Sequence, residues 1–361
     1  MTRRPVRPGG GDAAHDDLVS GVAASDDVVS DGAVSDDAAS DDVVSGVAAG
    51  DGVVSETPEP YVAGFACLVG RPNAGKSTLT NALVGDKVAI TSSKPQTTRH
   101  TIRGIVTQEH AQLILVDTPG LHKARTLLGT RLNDLVRATL LDVDVVGFCL
   151  PSDQRIGPGD RFIAAELAEL MRGKKLPVVA LATKSDTVDK QRLAEHLIAI
   201  DQLGDWAAIV PCSATRGDQV DDVLRVLTGY LPPAPGPLYP PEMRTDEQTE
   251  TRIAELVREA ALEGVRDELP HSIAVVVEEI TPREDAPADR PMLDVRVDIF
   301  VERDSQKAII IGKGGSRLRE VGTTARAGIE PLLGQRVYLH LRVKVAKDWQ
   351  RDPRQLQRLG F

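Results

Sequence analysis

The segment Gly70-Arg71-Pro72-Asn73-Ala74-Gly75-Lys76-Ser77, followed by Thr78, fits the spacing G-x-x-x-x-G-K-[ST]. Each part of that spacing has a physical task. Small residues leave consecutive backbone N–H groups free to wrap an anion, and a helix beginning near Ser77 adds the positive end of its dipole. The Lys76 ammonium can then reach the β- and γ-phosphates of a nucleotide, and the Ser77 hydroxyl can bind Mg²⁺. The flanks suit this chemistry. Residues 65–69 are an apolar run that reads as a buried strand leading in, and residues 77–84 read as a helix leading out.

Three further segments stand at the ends of apolar runs. Asp117-Thr118-Pro119-Gly120 lies 41 residues beyond Lys76. Its carboxylate can hold Mg²⁺ through a water, and the Gly120 N–H can meet a γ-phosphate. Thr183-Lys184-Ser185-Asp186 follows the run 178–182. A carboxylate at Asp186 could accept from both the N1–H and the amino group of guanine, two donors that adenine does not present together. Ser213-Ala214 follows the run 208–212 and could support the base through backbone N–H groups. Singly, the first is an ordinary strand-ending turn, the second a polar helix cap, and the third carries no information. Their shared position at successive strand ends is what gives them weight, because open α/β sheets bind ligands there.

The elements that must position these residues follow from periodicity. Strands are predicted at 62–69, 101–107, 112–116, 143–150, 177–182 and 207–211, alternating with helices at 77–84, 130–141, 160–172, 189–203 and 218–230. The loop at Glu109-His110 is too short for a helical crossover, so 101–107 and 112–116 should pair antiparallel in an otherwise parallel sheet. Six prolines between 232 and 241 mark residues 232–245 as an extended, semi-stiff linker. It separates a domain over 58–231 from a second over 246–350, with 351–361 read as a C-terminal tail. The second domain shows the order helix (about 246–266), strand (272–280), strand (292–302), helical turn, helix (316–327) and strand (336–345). Between its last two helices stands Ile311-Gly312-Lys313-Gly314-Gly315, a G-x-x-G loop. Glycines let the backbone approach the phosphate–sugar chain of single-stranded RNA, Lys313 adds charge, and apolar neighbours form a groove for bases. Arg317, Arg319, Lys344 and Lys347 enlarge the basic face; the alternative is a helix–helix turn with a solvated charged surface.

Charge is distributed unevenly. The 361 residues carry a formal net charge of −10, yet residues 1–57 alone hold 12 acidic and 3 basic side chains. Residues 300–361 reverse the sign, with 13 basic against 6 acidic. The acidity belongs to a repetitive segment of Asp, Ser, Ala, Val and Gly that has nothing to pack and is expected to be disordered; the C-terminal part has the polarity of an RNA binder. Cys67, Cys149 and Cys212 sit in apolar runs without metal-ligand spacing, as core thiols of a reducing cytosol. Neither an apolar run long enough to span a bilayer nor a secretory h-region is evident.

In this order the motifs of about 61–230 resemble the translation-factor-like class of GTP-binding proteins. Within it, the segments 70–77, 91–100 and 117–122 are similar to the Era family, and about 245–350 resembles a bacterial-type KH domain; one G domain joined to one such KH domain is the Era arrangement. The resemblance implies an α/β fold: a Ras-like P-loop G domain with a mostly parallel six-stranded sheet, followed by an α+β KH domain. It implies GTP or GDP and Mg²⁺ as cofactors, GTP hydrolysis through Lys76, Thr98, Asp117 and Gly120, and a first switch from Gln96 to His100. Thr98 matches the Mg²⁺-binding threonine, although sequence cannot separate it from Thr97. Asn73 matches a loop asparagine that helps hold K⁺ in related GTPases, the alternative being a left-handed loop residue. The family further implies a cytoplasmic protein, with a peripheral membrane pool reported, that binds the 3′ region of small-subunit ribosomal RNA and acts in small-subunit assembly; a monomer is expected.

Two departures bear on mechanism. Leu121 follows Gly120 where a water-orienting glutamine is common, which predicts slow intrinsic hydrolysis. Thr183 stands where the guanine motif usually has asparagine; a hydroxyl makes one hydrogen bond to the base where an amide makes two, leaving specificity to Asp186. Two rival readings are an RNA-binding module in which hydrolysis is incidental and a GTPase acting on another RNA such as tRNA.

Overall fold

The computed structural model describes residues 60–92, 97–121, 126–263, 265, 272–287 and 289–361. The acidic segment 1–57, Gln96 and His122 lie outside the described residues. The apolar runs, having nowhere to go but a core covered on both faces, become β1 (Val62–Val69), β2 (Ile102–Thr107), β3 (Ala111–Asp117), β4 (Val145–Pro151), β5 (Val178–Thr183) and β6 (Ala208–Pro211). They form one six-stranded sheet in the order β2-β3-β1-β4-β5-β6. β2 runs antiparallel to β3, from Ile102 opposite Asp117 to Thr107 opposite Gln112, and the other pairings are parallel.

Helices cover both faces of this sheet: α1 (Lys76–Val84), α2 (Leu127–Asp142), α3 (Pro158–Lys174), α4 (Lys190–Asp201) and α5 (Val220–Thr228). Leu79 and Leu83 of α1 join Val223 and Leu227 of α5 on one face; Val136, Leu140, Ile163, Leu167 and Ile200 fill the other. Each such fully buried side chain contributes about 1.5–3 kcal/mol of transfer free energy. The order in which strands are added reverses beside β1, and because β1, β3 and β5 run parallel the loops after them open on one edge.

The proline-rich segment is extended, as expected, and it is also fastened down. Ala63 N donates to Pro232 O at 3.1 Å and Ala234 N to Tyr61 O at 2.8 Å. Gln112, wholly buried in β3, accepts from Leu238 N and Tyr239 N and donates to Tyr239 O. Arg103 pairs with Asp246 at 2.7 Å where the chain leaves the first sheet.

The second domain comprises α6 (Thr249–Leu262), β7 (Ala274–Pro282), β8 (Met292–Val301), α7 (Asp304–Ile311), α8 (Ser316–Leu333) and β9 (Arg336–Val345). Its sheet runs β7-β8-β9, antiparallel then parallel. Alternation puts Val295, Val297, Ile299, Val337 and Val343 under the helices, against Ile253, Val257, Ile310, Val321 and Ile329. Residues 351–361, read from sequence as a tail, carry α9 (Pro353–Arg358). Trp349, Leu356 and Leu359 pack with Leu128 and Leu132 of α2, so this segment joins the two domains.

Candidate active site and nucleic-acid interface

The phosphate loop is built by backbone that ordinary side chains disfavour. Asn73 lies at φ 63° and Gly75 at φ 91°, and a Cβ on Gly70 would stand 2.7 Å from the Cys149 carbonyl. The left-handed form of Asn73 is thus realised. Lys76 is buried and turns over its own loop, donating to the carbonyls of Gly70 (3.2 Å) and Arg71 (3.1 Å). Burial lowers its pKa, opposed by the charge of Asp117. Arg71 points away, with its Nε 2.6 Å from Asp160 Oδ1, and Thr78 lines the loop pocket.

Three hard oxygens converge beneath the loop. Ser77 Oγ donates to Asp117 Oδ2 at 2.7 Å, Thr98 Oγ1 donates to the same oxygen at 3.1 Å, and the two hydroxyls stand 2.9 Å apart. Thr97 instead directs its hydroxyl toward the Ser92 carbonyl at 3.5 Å, so geometry selects Thr98 from the adjacent pair. Asp117 is fully buried; burial raises its pKa, and Lys76, Ser77 and Thr98 pull it back. Among the described residues no side chain hydrogen-bonds its other oxygen. This donor set fits Mg²⁺, which takes oxygen ligands with one or two carboxylates and keeps several waters.

Gly120 closes the pocket from the other side. A Cβ there would stand 2.8 Å from Pro72 N and 3.1 Å from Pro72 Cα, which only glycine avoids. Thr118 Oγ1 donates to Leu68 O at 3.0 Å and fixes the turn at the end of β3, with Pro119 next to it. Leu121 is buried in the core between sheet and helices, away from solvent.

At the guanine motif, Asp186 Oδ1 accepts from Ser213 Oγ at 2.6 Å. The Ser213 amide, expected to face the base, donates to Asp218 O at 3.0 Å, so its hydroxyl is the group that serves the site. Ala214 packs against the core beside it. Thr183 Oγ1 donates to Ala74 O at 2.6 Å, which commits its proton to the phosphate loop. Lys184 takes φ 57° and pairs with Asp153 at 3.0 Å; Ser185 N donates to Cys212 O at 3.1 Å. The thiols are core groups: burial pushes Cys67 and Cys212 up to about 12 and raises Cys149 as well.

In the second domain, Gly312 (φ 71°), Gly314 (φ 59°) and Gly315 (φ 76°) form the exposed corner between α7 and α8, with Lys313 exposed and Ile311 half-buried. Added Cβ atoms on Gly314 and Gly315 would meet open space, leaving room for another chain's backbone. Two basic residues point elsewhere. Arg317 donates to the carbonyls of Ala261 (3.3 Å) and Glu263 at the end of α6. Lys344 lies on the sheet face opposite the helices, paired with Asp298 and, at 3.8 Å, with Glu278. Arg319 and Lys347 are exposed. Sequence reasoning missed Glu255, Arg258 and Glu259 of α6, which face the segment before Thr98; the available signal was an acid and a base three apart among Ile253, Val257 and Ala260 on a buried helix face.

A phosphate loop, an oxygen cluster for a divalent cation and a guanine-directed carboxylate on a Ras-like sheet, followed by a KH domain, define a GTP-binding protein of two modules. A family model described as "50S ribosome-binding GTPase" matches residues 65–184, and a KH-domain model matches 268–350. GTPase Era of Streptomyces coelicolor is 66% identical over 304 residues, covering 83% of this chain and 95% of its own. GTPase Era of Mycolicibacterium smegmatis is 60% identical over 300 residues, covering 83% and 98%. Among solved structures, Era in complex with MgGDPNP and nucleotides 1506–1542 of 16S ribosomal RNA matches with a TM-score of 0.78 and 36% identity, over 83% of this chain and 99% of that one. Aquifex aeolicus Era bound to GDP·AlF₄⁻ matches equally well. The chain belongs to the Era family of GTPases. Among the described residues no helix is long and apolar enough to cross a membrane.

Proposed function

We propose that this protein hydrolyses GTP and binds the 3′ region of 16S ribosomal RNA in the cytoplasm, acting in maturation and assembly of the small ribosomal subunit. The carrying observation is the meeting of Ser77, Thr98 and Asp117 oxygens within 3.1 Å of one another on a chain that also carries the exposed 312–315 loop. The relative solved with MgGDPNP and 16S RNA together supports the pairing of these two sites.

In this reading the loop N–H groups and Lys76 bind the β- and γ-phosphates, Ser77 and Thr98 present hydroxyls and Asp117 its carboxylate, and Gly120 offers its N–H to the γ-phosphate. Ser77, Thr98 and Asp117 would hold Mg²⁺, which would supply positive charge against that of the phosphates. Asp186, oriented by Ser213, reads guanine. Leu121 is sequestered in the core, so turnover is slow without help. Asn73 takes the left-handed conformation, which a K⁺-holding role does not preclude, and it is the residue we expect to hold K⁺ near the phosphates. Lys313 and the glycines at 312, 314 and 315 are the RNA contacts; Arg317 supports them through α6. The unit boundaries we adopt are 58–231 and 246–350, with the fastened linker between.

The test is titration of 16S 3′-end fragments onto the chain loaded with GDP or a non-hydrolysable GTP analogue, at several salt concentrations. Tight, sequence-dependent binding that Gly314→Asp abolishes is expected. Binding indifferent to RNA sequence would overturn the proposal. Equal affinity in both nucleotide states would favour the reading in which hydrolysis is incidental.

A further inference from the structure

The segment that supplies Thr98 is held from the KH domain. Arg258 of α6 donates through Nε to Glu255 Oε1 at 2.8 Å and through one terminal nitrogen to Oε2 at 2.6 Å; that same nitrogen donates to the Thr97 carbonyl. The side chains are 3% and 9% exposed. One residue further along, Glu259 accepts from Thr91 N at 2.9 Å and Thr91 Oγ1 at 3.3 Å, and pairs with Lys87 at 2.5 Å. Just beyond Thr98, Arg99 is buried, donating to Ile273 O at 2.5 Å with Trp349 and Phe361 at its face. The KH side therefore grips this segment at Thr91, Thr97 and Arg99.

A buried ion pair adds little net stability, because desolvation offsets the attraction. What it does supply is orientation: a planar guanidinium held at two points by Glu255 aims the second N–H of the shared terminal nitrogen in one direction. Burial alone would raise the Glu255 carboxyl, but Arg258, then His100 and Arg99, hold it below its ordinary value, so the clamp is charged at neutral pH. The carbonyl it aims at precedes the hydroxyl that stands 2.9 Å from Ser77 and 3.1 Å from Asp117.

We infer that Arg258 is a positioning residue for GTP hydrolysis: clamped by Glu255, it fixes the Thr97 carbonyl and so sets the Thr98 hydroxyl in the Mg²⁺ site, making the catalytic centre incomplete without the KH domain. The inference rests on the proposed hydrolytic function. A displacement of about 1 Å in such a group costs up to roughly a hundredfold in rate. GDP lacks the γ-phosphate and is held by the loop and the guanine motif, so its binding should not report on Arg258.

The experiment compares the full chain with Arg258→Gln and Arg258→Lys, following single-turnover hydrolysis across an Mg²⁺ titration, GDP affinity and thermal unfolding. Arg258→Gln should lower the saturating rate constant by roughly tenfold or more and raise the Mg²⁺ needed for half-maximal rate, with GDP affinity within about twofold. Arg258→Lys, which keeps charge but not the fork, should recover part of the rate. A wild-type rate and Mg²⁺ dependence in Arg258→Gln would overturn the inference, as would a parallel loss of GDP binding in the folded variant. Should Arg258→Gln fail to fold, the pair Glu255→Gln with Arg258→Gln removes both charges; normal hydrolysis by that pair would overturn the inference equally. No hydrolysis by the unaltered chain would instead overturn the functional reading, and the inference with it.

Discussion

The hydroxyl of Thr183 donates a 2.6 Å hydrogen bond to the carbonyl of Ala74, joining the end of β5 to the phosphate loop across 109 residues of chain. Both groups are buried, and a Cβ added on the adjacent Gly75 would stand 3.6 Å from Thr183 Cβ, in ordinary contact. Thr183 thus organises the loop from beneath. Removing a partner from such a bond costs about 1–3 kcal/mol, because the carbonyl is left unsatisfied. Thr183→Ala should therefore weaken GDP and GTP binding alike, by roughly 5- to 150-fold. Calorimetric titration of both nucleotides checks this; a selective loss of GTP alone would place Thr183's role elsewhere.

Asp186 is held by Ser213 at 2.6 Å, which directs its carboxylate. Asp186→Asn replaces an acceptor pair by one acceptor and one donor. The donor would oppose the N1–H of guanine but suit the extra carbonyl of xanthine. We expect GTP affinity to fall by roughly tenfold or more and xanthosine triphosphate to gain, since charged hydrogen bonds contribute about 1.5–3 kcal/mol. Competition between the two nucleotides measures the ratio, which should stay unchanged if Asp186 does not touch the base.

These two sites also mark where sequence was and was not sufficient. β1 spans 62–69 and β9 spans 336–345 as the apolar pattern predicts, β1 because it is buried on both faces of its sheet and β9 because alternate residues face one core. α8 runs to Leu333, six residues beyond the expected end at 327, despite Gly328 and Pro331. The burial of Ile329 and the packing of Leu332 and Leu333 outweigh the local penalty. Thr97 and Thr98 are chemically identical neighbours, and only their distances to Ser77 and Asp117 separate them. Arg317 and Lys344 have the right charge for an RNA face, but direction is a tertiary property: one caps α6 and the other pairs across the far side of the sheet. The grip of α6 on Thr91 and Thr97 had no sequence signature beyond charged residues on an apolar helix face.

Gly120 lies against the phosphate loop with no room for a side chain, 2.8 Å from Pro72 N at the Cβ position. Gly120→Ala must push the turn at 117–120 away from the loop, and overpacking of this kind costs about 1–3 kcal/mol. On the proposed reading the Gly120 N–H meets the γ-phosphate, which GDP lacks. Hydrolysis and the preference for GTP over GDP should both drop, by roughly tenfold or more, while GDP affinity holds. Single-turnover rates with paired GDP titrations decide it; an equal loss of GDP binding would show that the loop itself has collapsed.

His196 on α4 is buried, with its ring nitrogen 3.4 Å from Leu150 O. Burial lowers its pKa, outweighing the Leu150 carbonyl, Asp160 and Asp153 that favour the charged ring. Above the ordinary histidine value of about 6.5 the ring is neutral in both folded and unfolded chains. As pH falls below that, the unfolded chain takes up the proton first, and stability declines until the folded ring titrates. The melting temperature should accordingly drop on acidification below about pH 6.5. His196→Gln should flatten that part of the profile, and an unchanged slope would assign the acid sensitivity to other groups.

Lys313 and Arg317 are four residues apart, and their side chains have different work to do. Lys313 is exposed beside glycines that leave room for a phosphate–sugar backbone, whereas Arg317 donates to the carbonyls of Ala261 and Glu263 where α6 ends. A cation at a helix C-terminus stabilises it through the dipole and satisfies carbonyls that have no partner within the helix. Lys313→Ala should therefore weaken 16S RNA binding and reduce the salt dependence by about one phosphate contact, with the melting temperature unchanged. Arg317→Ala should do the reverse: it removes charged hydrogen bonds contributing about 1.5–3 kcal/mol and lowers the melting temperature. RNA affinity measured well below that temperature should remain near the unaltered value. Salt-series RNA titrations and thermal melts on both variants separate the two roles, and a large loss of RNA affinity in folded Arg317→Ala would return that guanidinium to the RNA face.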